Sequence, residues 1–356
     1  MAKITAKQLA KSLGISASAV SLALNGKPGV SEKTRAGVIR SAAECGYSVP
    51  RASEPAAHTA KKNICFLIYA DRIAGIAEHT SFSTFVMQGA ETAARELGYN
   101  VLIRRFTAGS ASDGYAEVFS DADALILLGT DITERRLGEV GALLAFAHAI
   151  PVVVVDNDLL CERTDCIGND NFTGALNAVK HLLSRGCGKI GYLRSRQRIA
   201  NFDARADGVL SALAQAGREL FCTVDVGISS EQAYADMDAW LEGLPALPDA
   251  FFADNDVLAA AAVRALKRRR IGVPDQVSVI GFDDIPGCEM CDPPLSTVRS
   301  FKERLGSSAV RLIHSRLTAG ESLATVQHTG VFRIQLSTEL QIRQSVRAAA
   351  AQERPV

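Results

Sequence analysis

The sequence predicts a mixed α/β fold, with a small all-α head and a two-lobed body built on parallel sheets. Three observations carry this prediction. Short helical patterns separated by glycine occupy the first 48 residues, and apolar, strand-like runs alternate with helical patterns from Asn63 onward. A stretch without apolar periodicity separates these two regions, and the 356 residues allow two or three domains.

The head is predicted to contain three short helices. The first covers Ile4–Leu13 and ends at Gly14, where a positive φ is easily adopted. The second covers Ser16–Asn25, with the Ser16 hydroxyl as its N-cap, and the third covers Ser31–Glu44. Two short helices joined by a glycine turn are typical of a helix-turn-helix motif.

The formal charge of the chain is zero, but the charges are unevenly distributed. The chain has 39 basic and 39 acidic side chains. Residues 1–62 contain ten of the basic and three of the acidic ones, a net charge of +7, which leaves −7 on the remaining residues. A basic head on an acidic body indicates that only the head approaches a polyanion.

A linker separates the head from the body, because residues 48–62 combine two prolines with small polar side chains. The expected boundaries are a head over residues 1–48, a linker over 49–62, a body over 63–345 and a tail over 346–356. Within the body, the lobes are expected to divide near residues 156–166. The chain is expected to cross back near 285–300 and 320–330.

The body is predicted to alternate strands and helices, which favours parallel sheets covered on both faces. The predicted strands are Ile64–Tyr69, Val101–Arg105, Ala124–Leu128, Val152–Asp156, Lys189–Arg194, Cys222–Val226, Ala250–Ala253, Val277–Phe282 and Val331–Leu336. The predicted helices are Phe82–Leu97, Arg135–His148, Phe172–Ser184, Ala204–Ala216, Glu231–Leu241, Val257–Arg270 and Phe301–Leu317.

Short groups of residues in both regions match one known family. In the head they are Leu9-Ala10, Gly14-Ile15-Ser16, Val20-Ser21, Leu24-Asn25-Gly26, Val30-Ser31, Thr34-Arg35 and Gly46-Tyr47. In the body they include Asn255-Asp256, Val277–Asp283, Pro294–Val298 and Leu340–Ser345. Through these residues the chain resembles, over nearly its whole length, the LacI/GalR (lactose-repressor) family of bacterial transcription regulators.

The resemblance implies a helix-turn-helix DNA-binding head and a body similar to periplasmic sugar-binding proteins, with a ligand cleft between two lobes. It implies a sequence-specific transcriptional regulator, with repression as the expected action. A small-molecule effector, expected to be a sugar or a sugar derivative, would control the affinity for the operator. The expected partners are a double-stranded DNA operator with an inverted repeat, this effector, and a second copy of the chain in a homodimer.

The resemblance also places the second helix of the head in the major groove. The candidate DNA-contacting residues are Thr5, Lys7, Ser16, Ala17, Ser18, Ser21, Leu22, Asn25, Ser31, Thr34 and Arg35. Ala17, Ser18 and Leu22 are smaller or less polar than family members usually have there, which predicts looser base specificity and more shape readout. In the linker, Ala56 follows Pro55 at the family's minor-groove wedge position, so we do not expect an intercalating hinge helix.

The candidate effector-binding residues follow strands or open helices of the body. By resemblance they are Phe82, Asn157, Asn169, Asn201, Arg205, Phe252, Asn255 and Asp283, and Arg196 joins them because it follows a strand directly. Arg196 lies between Arg194 and Arg198. These three arginines either meet an anionic effector or pair with acidic neighbours, so the effector is expected to be sugar-like or anionic.

Composition and motifs exclude other classes. No apolar run approaches the roughly 18–20 residues of a membrane span, and Met1–Lys11 has charges but no apolar stretch of signal-peptide type, so we expect a cytoplasmic protein. The eight cysteines are expected to be reduced, and the lone pair Cys288 and Cys291 is weak evidence for a metal. The six histidines have no metal spacing, and neither a metal nor a cofactor is expected.

Two alternatives remain open beside the regulator. One is a doubly wound enzyme, against which the chain has no G-x-G-x-x-G after a strand, no P-loop and no G-x-S-x-G. We therefore expect no enzymatic activity. The other is a cytoplasmic small-molecule-binding protein without a role on DNA, which would have no use for a basic head.

Overall fold

The structure is a computed structural model that describes residues 10–11, 13–24, 30–31, 34, 37–38, 41, 62–71, 81–109, 119–243 and 246–348. The chain forms two compact units, Met1–Lys61 and Lys62–Val356. The first unit contains the predicted head and linker, and the second contains the predicted body. Their internal architectures follow from different patterns of apolar residues.

In the first unit, helix α1 covers Ala17–Leu24 and matches the predicted second helix. The Ser16 hydroxyl accepts a hydrogen bond from the Ala19 amide at 3.1 Å, so it caps this helix as expected. Gly14 precedes it with a φ of 65°. A small core forms around the fully buried Val20, with Ala10, Ala23 and Val38 also buried. The predicted first and third helices and the linker lie largely outside the described residues.

The second unit contains twelve strands and nine further α-helices among its described residues. The strands are β1 Asn63–Ala70, β2 Asn100–Thr107, β3 Ala124–Leu128, β4 Val152–Val155, β5 Asp165–Asn169, β6 Ile190–Ser195, β7 Cys222–Val226, β8 Ala250–Ala253, β9 Ser278–Asp283, β10 Ser296–Arg299, β11 Arg333–Leu336 and β12 Glu339–Gln341. The helices are α2 Phe82–Leu97, α3 Leu137–Phe146, α4 Asn171–Ser184, α5 Ala200–Gln215, α6 Ser230–Glu242, α7 Asp256–Arg268, α8 Gly287–Met290, α9 Lys302–Ala319 and α10 Leu323–Thr329.

Lobe 1 is built on a six-stranded sheet of order β11-β5-β4-β3-β1-β2, in which every neighbouring pair is parallel. Helices α2 and α9 pack tightly against each other beside this sheet. Their backbones meet at Gly89 and Gly306, where an added Cβ would collide with a carbonyl oxygen of the opposite helix. The two glycines therefore set how closely these helices approach.

Lobe 2 is built on a second six-stranded sheet, of order β12-β10-β9-β8-β6-β7. All its pairs are parallel except β10 with β12. Alternate residues along β8 enter two separate cores, Phe251 with α6 and α7 on one face and Phe252 with α4 and α5 on the other. The predicted α/β fold with parallel sheets is confirmed.

The chain crosses between the lobes at three places, and two of them differ from the prediction. The first crossing follows Asn169 rather than lying near 156–166, because β5 pairs with β4 in the sheet of lobe 1. The chain does not pass between the lobes at residues 320–330, because β11, which follows them, pairs with β5 in the sheet of lobe 1. The next strand, β12, pairs with β10 in lobe 2, so the last crossing lies between Leu336 and Glu339. The remaining crossing lies next to Ser300, between β10 of lobe 2 and α9.

None of the described helices is long and apolar enough to cross a membrane. The seven described cysteines, Cys288 and Cys291 among them, are free thiols. In the same part of the chain, no group of three or more His, Cys, Asp or Glu side chains has the arrangement of a metal site.

Candidate functional site

A cleft lies where the carboxyl ends of the parallel strands of both lobes meet. It holds a cavity of about 500 Å³, and its walls come from both lobes. Lobe 1 contributes Thr133, Glu134, Arg135 and Leu159, and lobe 2 contributes Arg196, Gln197, Arg198, Ile199, Ala200 and Asp203. A concave site beyond the carboxyl ends of parallel strands is where α/β proteins bind small ligands.

Arg205 organises the lobe 2 side of the cleft from helix α5. Its side chain is buried, and Nη2 donates to Oδ1 of Asp283 at 3.0 Å. Nε donates to the side-chain oxygen of Asn171 at 2.9 Å, and Nη1 donates to the backbone carbonyl of Asp254. The guanidinium also stacks on Phe282, 3.7 Å from the ring centroid. Each edge of the guanidinium thus has a partner inside lobe 2.

Asp283 and Asp254 are the buried carboxylates around this arginine. Asp283 ends β9 with a φ of 107°, and its backbone carbonyl accepts a hydrogen bond from Lys302. Asp254 accepts hydrogen bonds from Tyr192, from the Ser195 amide and from Arg198. Burial raises the pKa of Asp254, and the nearby arginines oppose the shift. This network fixes the cleft-facing edge of lobe 2.

Asp156 is the acidic residue that follows β4 on the lobe 1 side, with a φ of 64°. Its carboxylate accepts a hydrogen bond from the Thr130 hydroxyl at 2.6 Å. Its backbone carbonyl accepts one from the Asn201 amide of lobe 2 at 3.3 Å, which bridges the lobes. Burial raises the pKa of Asp156 to about 7, with Arg205 and Thr130 opposing the shift and Asp283 adding to it.

Asn157 and Asn169 both lie at the cleft edge of lobe 1, but they differ in their partners. The Asn157 amide donates to the carbonyls of Gly129 and Ile132, and its oxygen accepts from the Leu159 amide. Both polar side-chain atoms of Asn169 are buried without a hydrogen-bond partner. Asn157 therefore holds the loop, whereas Asn169 has free hydrogen-bonding capacity.

Two further buried polar atoms without a partner belong to residues that line the cavity. They are the Thr133 hydroxyl in lobe 1 and the side-chain oxygen of Gln197 in lobe 2. Buried polar groups in native proteins usually have partners, so such atoms indicate a ligand or bound water. Sequence reasoning missed both residues, because neither follows a strand directly.

Three of the predicted effector residues take structural positions instead. Phe252 has no exposed surface and packs in the core of lobe 2, and Phe82 is buried in the core of lobe 1. Asn255 caps α7, because its side-chain oxygen accepts a hydrogen bond from the Leu258 backbone amide at 3.0 Å. Phe252 and Phe82 were expected to line the cleft. In the structure their rings instead pack in the cores of lobe 2 and lobe 1.

The arginines along the cleft pair with acidic side chains. Arg194 pairs with Asp225, Arg196 with Asp236, and Arg198 with Asp203 and Asp254. On the lobe 1 side, Arg135 and Arg136 both pair with the buried Asp71. Of the two interpretations left open for Arg194, Arg196 and Arg198, the structure favours pairing with acidic neighbours.

The candidate DNA-contacting residues are only partly described. Thr5, Lys7, Asn25 and Arg35 lie outside the described residues, and Ala17 and Ser21 are described only as backbone of α1. Ser18 is exposed, and its hydroxyl lies 2.9 Å from that of Ser16. Leu22 is half-buried. The Ser31 hydroxyl accepts the Thr34 amide at 3.2 Å, so this serine opens a helical turn.

Comparisons with known proteins agree with this architecture. A family model described as a periplasmic binding protein-like domain matches residues 179–346. The HTH-type transcriptional regulator GalS of Salmonella typhimurium is 31% identical over 83% of this chain and 85% of that protein. The HTH-type transcriptional repressor PurR of Mannheimia succiniciproducens is 26% identical over 97% and 99% of the two chains.

Solved structures share the fold. The lac repressor dimer bound to operator and the anti-inducer ONPF has a TM-score of 0.67 at 21% identity, covering 98% of this chain and 100% of that one. The transcriptional regulator CelR in complex with cellobiose has a TM-score of 0.66 at 24% identity, covering 96% and 100%.

The two lobes, their parallel sheets and the cleft between them define a ligand-binding body of the periplasmic-binding-protein type. The chain belongs to the LacI/GalR family of bacterial transcription regulators. It is a DNA-binding transcriptional regulator with a helix-turn-helix head, as the sequence predicts.

Proposed function

We propose that an uncharged small molecule rich in hydroxyl or ring hydrogen-bonding groups binds in the cleft and controls the affinity of the head for an operator. The observation that carries this proposal is the cavity of about 500 Å³, whose lining includes Thr133 and Gln197, each with a buried polar atom that has no partner. The unpartnered amide of Asn169 lies at the same strand ends of lobe 1. A ligand with both donors and acceptors would satisfy them.

The charges around the cavity favour a neutral effector over an anionic one. Arg196 and Arg198 line the cavity, but Asp236, Asp203 and Asp254 already neutralise them. A carboxylate or phosphate would have to displace these aspartates, which remain nearby as like charges. Sugars fit this chemistry, and the solved relatives include one in complex with cellobiose.

Control of DNA binding requires that the effector distinguish two arrangements of the lobes. Asn201 of lobe 2 donates a hydrogen bond to the Asp156 carbonyl of lobe 1, so this bond joins the lobes in the arrangement that the structure shows. A ligand that contacts Thr133 and Gln197 from opposite walls would favour a closed cleft. The ligand can change the free-energy difference between the two arrangements only by as much as its binding free energies for them differ.

On the DNA side, the proposed contacts are the head residues named from the sequence, with Ser16, Ser18 and Leu22 in α1 nearest to the bases. Two chains would pair as a homodimer and place two heads on an inverted repeat. We further propose that the protein represses transcription in the cytoplasm and catalyses no reaction.

A thermal-shift screen of the full chain tests the effector proposal. Neutral sugars and nucleobases are compared with their phosphates, because a ligand that binds only the folded protein raises its melting temperature. We expect a neutral compound to raise it and the matching phosphate to have little effect. Tight binding of the phosphate alone would overturn the neutral assignment.

A gel-shift experiment with genomic DNA fragments tests the DNA proposal. Binding by the full chain is measured over a range of salt concentrations, with a chain lacking residues 1–61 as the control. We expect the logarithm of the affinity to fall linearly with the logarithm of the salt concentration, and the control not to bind. If no fragment is retained while a ligand still raises the melting temperature, a ligand-binding protein without a role on DNA is the better description.

A further inference from the structure

A second cavity of about 500 Å³ lies in lobe 1, outside the cleft. Helix α3 forms one wall, the loop between β4 and β5 forms another, and the start of α10 closes it. Among its lining residues, Leu144, Leu160 and Leu323 are each at least nine-tenths buried. Its volume matches that of ordinary small-molecule sites, which span roughly 300–1,000 Å³.

Three buried leucines, Leu144, Leu160 and Leu323, form the apolar part of the lining. The exposed Glu162 and Arg163 form part of its rim, where the loop between β4 and β5 reaches water. Such a lining suits a compound with an apolar aromatic or aliphatic body and one polar end. The cleft cavity instead has the paired charges of Arg196, Arg198 and Asp203 in its lining.

Leu159 lines both cavities and so forms part of the wall between them. Its backbone amide is held by the side chain of Asn157, in the loop that begins with Asp156. A molecule in the lobe 1 cavity would therefore contact the back of a side chain that faces the cleft. We propose that the lobe 1 cavity is a second small-molecule site, distinct from the cleft, for an amphipathic compound with an apolar body.

Gly141 gives a direct way to close this cavity. It lies in the middle of α3 and lines the cavity, and a Cβ added there would meet no atom within 4 Å. A phenylalanine at this position would occupy the cavity without a clash at its root, and glycine is a poorer helix former than phenylalanine. Gly138, on the same helix and outside the cavity lining, is equally open and provides a matched control.

The test uses two fluorescent probes with the same aromatic body, 1-anilinonaphthalene-8-sulfonate and the uncharged N-phenyl-1-naphthylamine. Each is titrated into the full-length wild type, Gly141→Phe and Gly138→Phe, after circular dichroism has shown that the variants are folded. We expect both probes to bind the wild type and Gly138→Phe alike. Gly141→Phe should bind both probes about tenfold more weakly, because the phenylalanine side chain takes up part of the space that the probe occupies.

Hydrogen exchange of the wild type with bound probe locates the site independently. Protection is expected in α3 and in residues 159–164, and not in residues 196–203 of the cleft. Ala324→Phe fills the same cavity from α10, so it replaces Gly141→Phe if that variant fails to fold. Equal probe affinity of the filled and control variants, or protection confined to 196–203, would overturn the proposal without affecting the function proposed for the cleft.

Discussion

The two edges of the cleft are built alike, but the buried carboxyl groups at these edges have different hydrogen-bond partners. Each presents an acidic residue with a positive φ at the end of a buried strand, Asp156 in lobe 1 and Asp283 in lobe 2. Asp283 faces the guanidinium of Arg205, whereas Asp156 accepts from the neutral hydroxyl of Thr130. The lobe 2 carboxylate is therefore matched by a full positive charge, and the lobe 1 carboxyl is not.

This difference assigns the two lobes different roles in binding. Lobe 2 holds a hydrogen-bonded network around Arg205 that is complete without a ligand. Lobe 1 leaves both polar atoms of the Asn169 amide and the Thr133 hydroxyl without partners, whereas on the lobe 2 side of the cavity the side-chain oxygen of Gln197 is unpartnered. A buried polar group without a hydrogen-bond partner costs free energy. A ligand therefore gains most binding free energy by forming hydrogen bonds with the unpartnered groups of lobe 1. We expect substitutions in lobe 2 to affect stability first, and those in lobe 1 to affect ligand affinity.

The largest effect is expected for Arg205→Met, which leaves the Asp283 carboxylate buried without its cation. The free energy of unfolding should fall by about 3–5 kcal/mol, the usual result of removing one partner of a buried ion pair. Chemical denaturation measures this loss. The double variant Arg205→Met with Asp283→Asn removes both charges and should recover part of it, since asparagine tolerates a positive φ. A single variant as stable as the wild type would refute the contrast between the lobes.

Asp156 should make stability depend on pH. Because its pKa rises to about 7 on folding, the native state binds this proton more tightly than the unfolded state. The resulting stabilisation is complete below the unfolded pKa, near 4, and is lost as the pH rises to about 7. It amounts to at most about 4 kcal/mol, at 1.36 kcal/mol for each pKa unit.

The variant Asp156→Asn tests this linkage, because its amide does not titrate. The free energy of unfolding is measured between pH 4 and pH 8 for both proteins. We expect the variant to show a flatter curve than the wild type. Asp256, whose pKa burial also raises to about 7, contributes equally to both curves. Identical slopes in the two proteins would show that the Asp156 carboxyl is not the titrating group.

A smaller effect separates the two asparagines of lobe 1. Asn157→Ala removes three hydrogen bonds of the loop and should lower the free energy of unfolding by about 1–3 kcal/mol. Asn169→Ala removes an amide that has no partner, so stability should change by less than about 0.5 kcal/mol. Affinity for the effector found by the thermal-shift screen should instead fall about tenfold in Asn169→Ala. A large stability loss in Asn169→Ala would contradict this division.

Much of the fold could be predicted because the central strands β3 and β8 are pure apolar runs, and both have the predicted bounds. The edge strand β7, which alternates buried and exposed residues, and helix α2 have the predicted bounds as well. The strands that were missed carry polar residues whose partners are distant in sequence. In β5, Asp165 is buried because Arg316, far along the chain, donates two hydrogen bonds to its carboxylate. No local pattern reveals such a pairing.

The cleft shows the same limit. Arg205 and Asp283 could be selected from the sequence, and the structure joins them at 3.0 Å. Thr133 and Gln197 could not be selected, because nothing in their local sequence shows that their polar atoms are buried without a partner. Phe252 was selected, but the alternation along β8 turns its ring into the core. Both faces of β8 pack against helices, so residues inside this strand do not reach the cleft at its carboxyl end.

The smallest effect is expected at the exposed end of the lobe 2 network. Arg194 pairs with Asp225 at 2.6 Å, and both side chains are nearly half exposed. Surface ion pairs of this kind contribute about 0–1 kcal/mol, so Arg194→Gln should hardly change the free energy of unfolding. Effector affinity should also stay constant, because Arg194 does not line the cavity, whereas Arg196 does. If Arg194→Gln weakened effector binding as much as Arg196→Gln, these arginines would act as one anion-binding cluster, and the neutral effector would have to be abandoned.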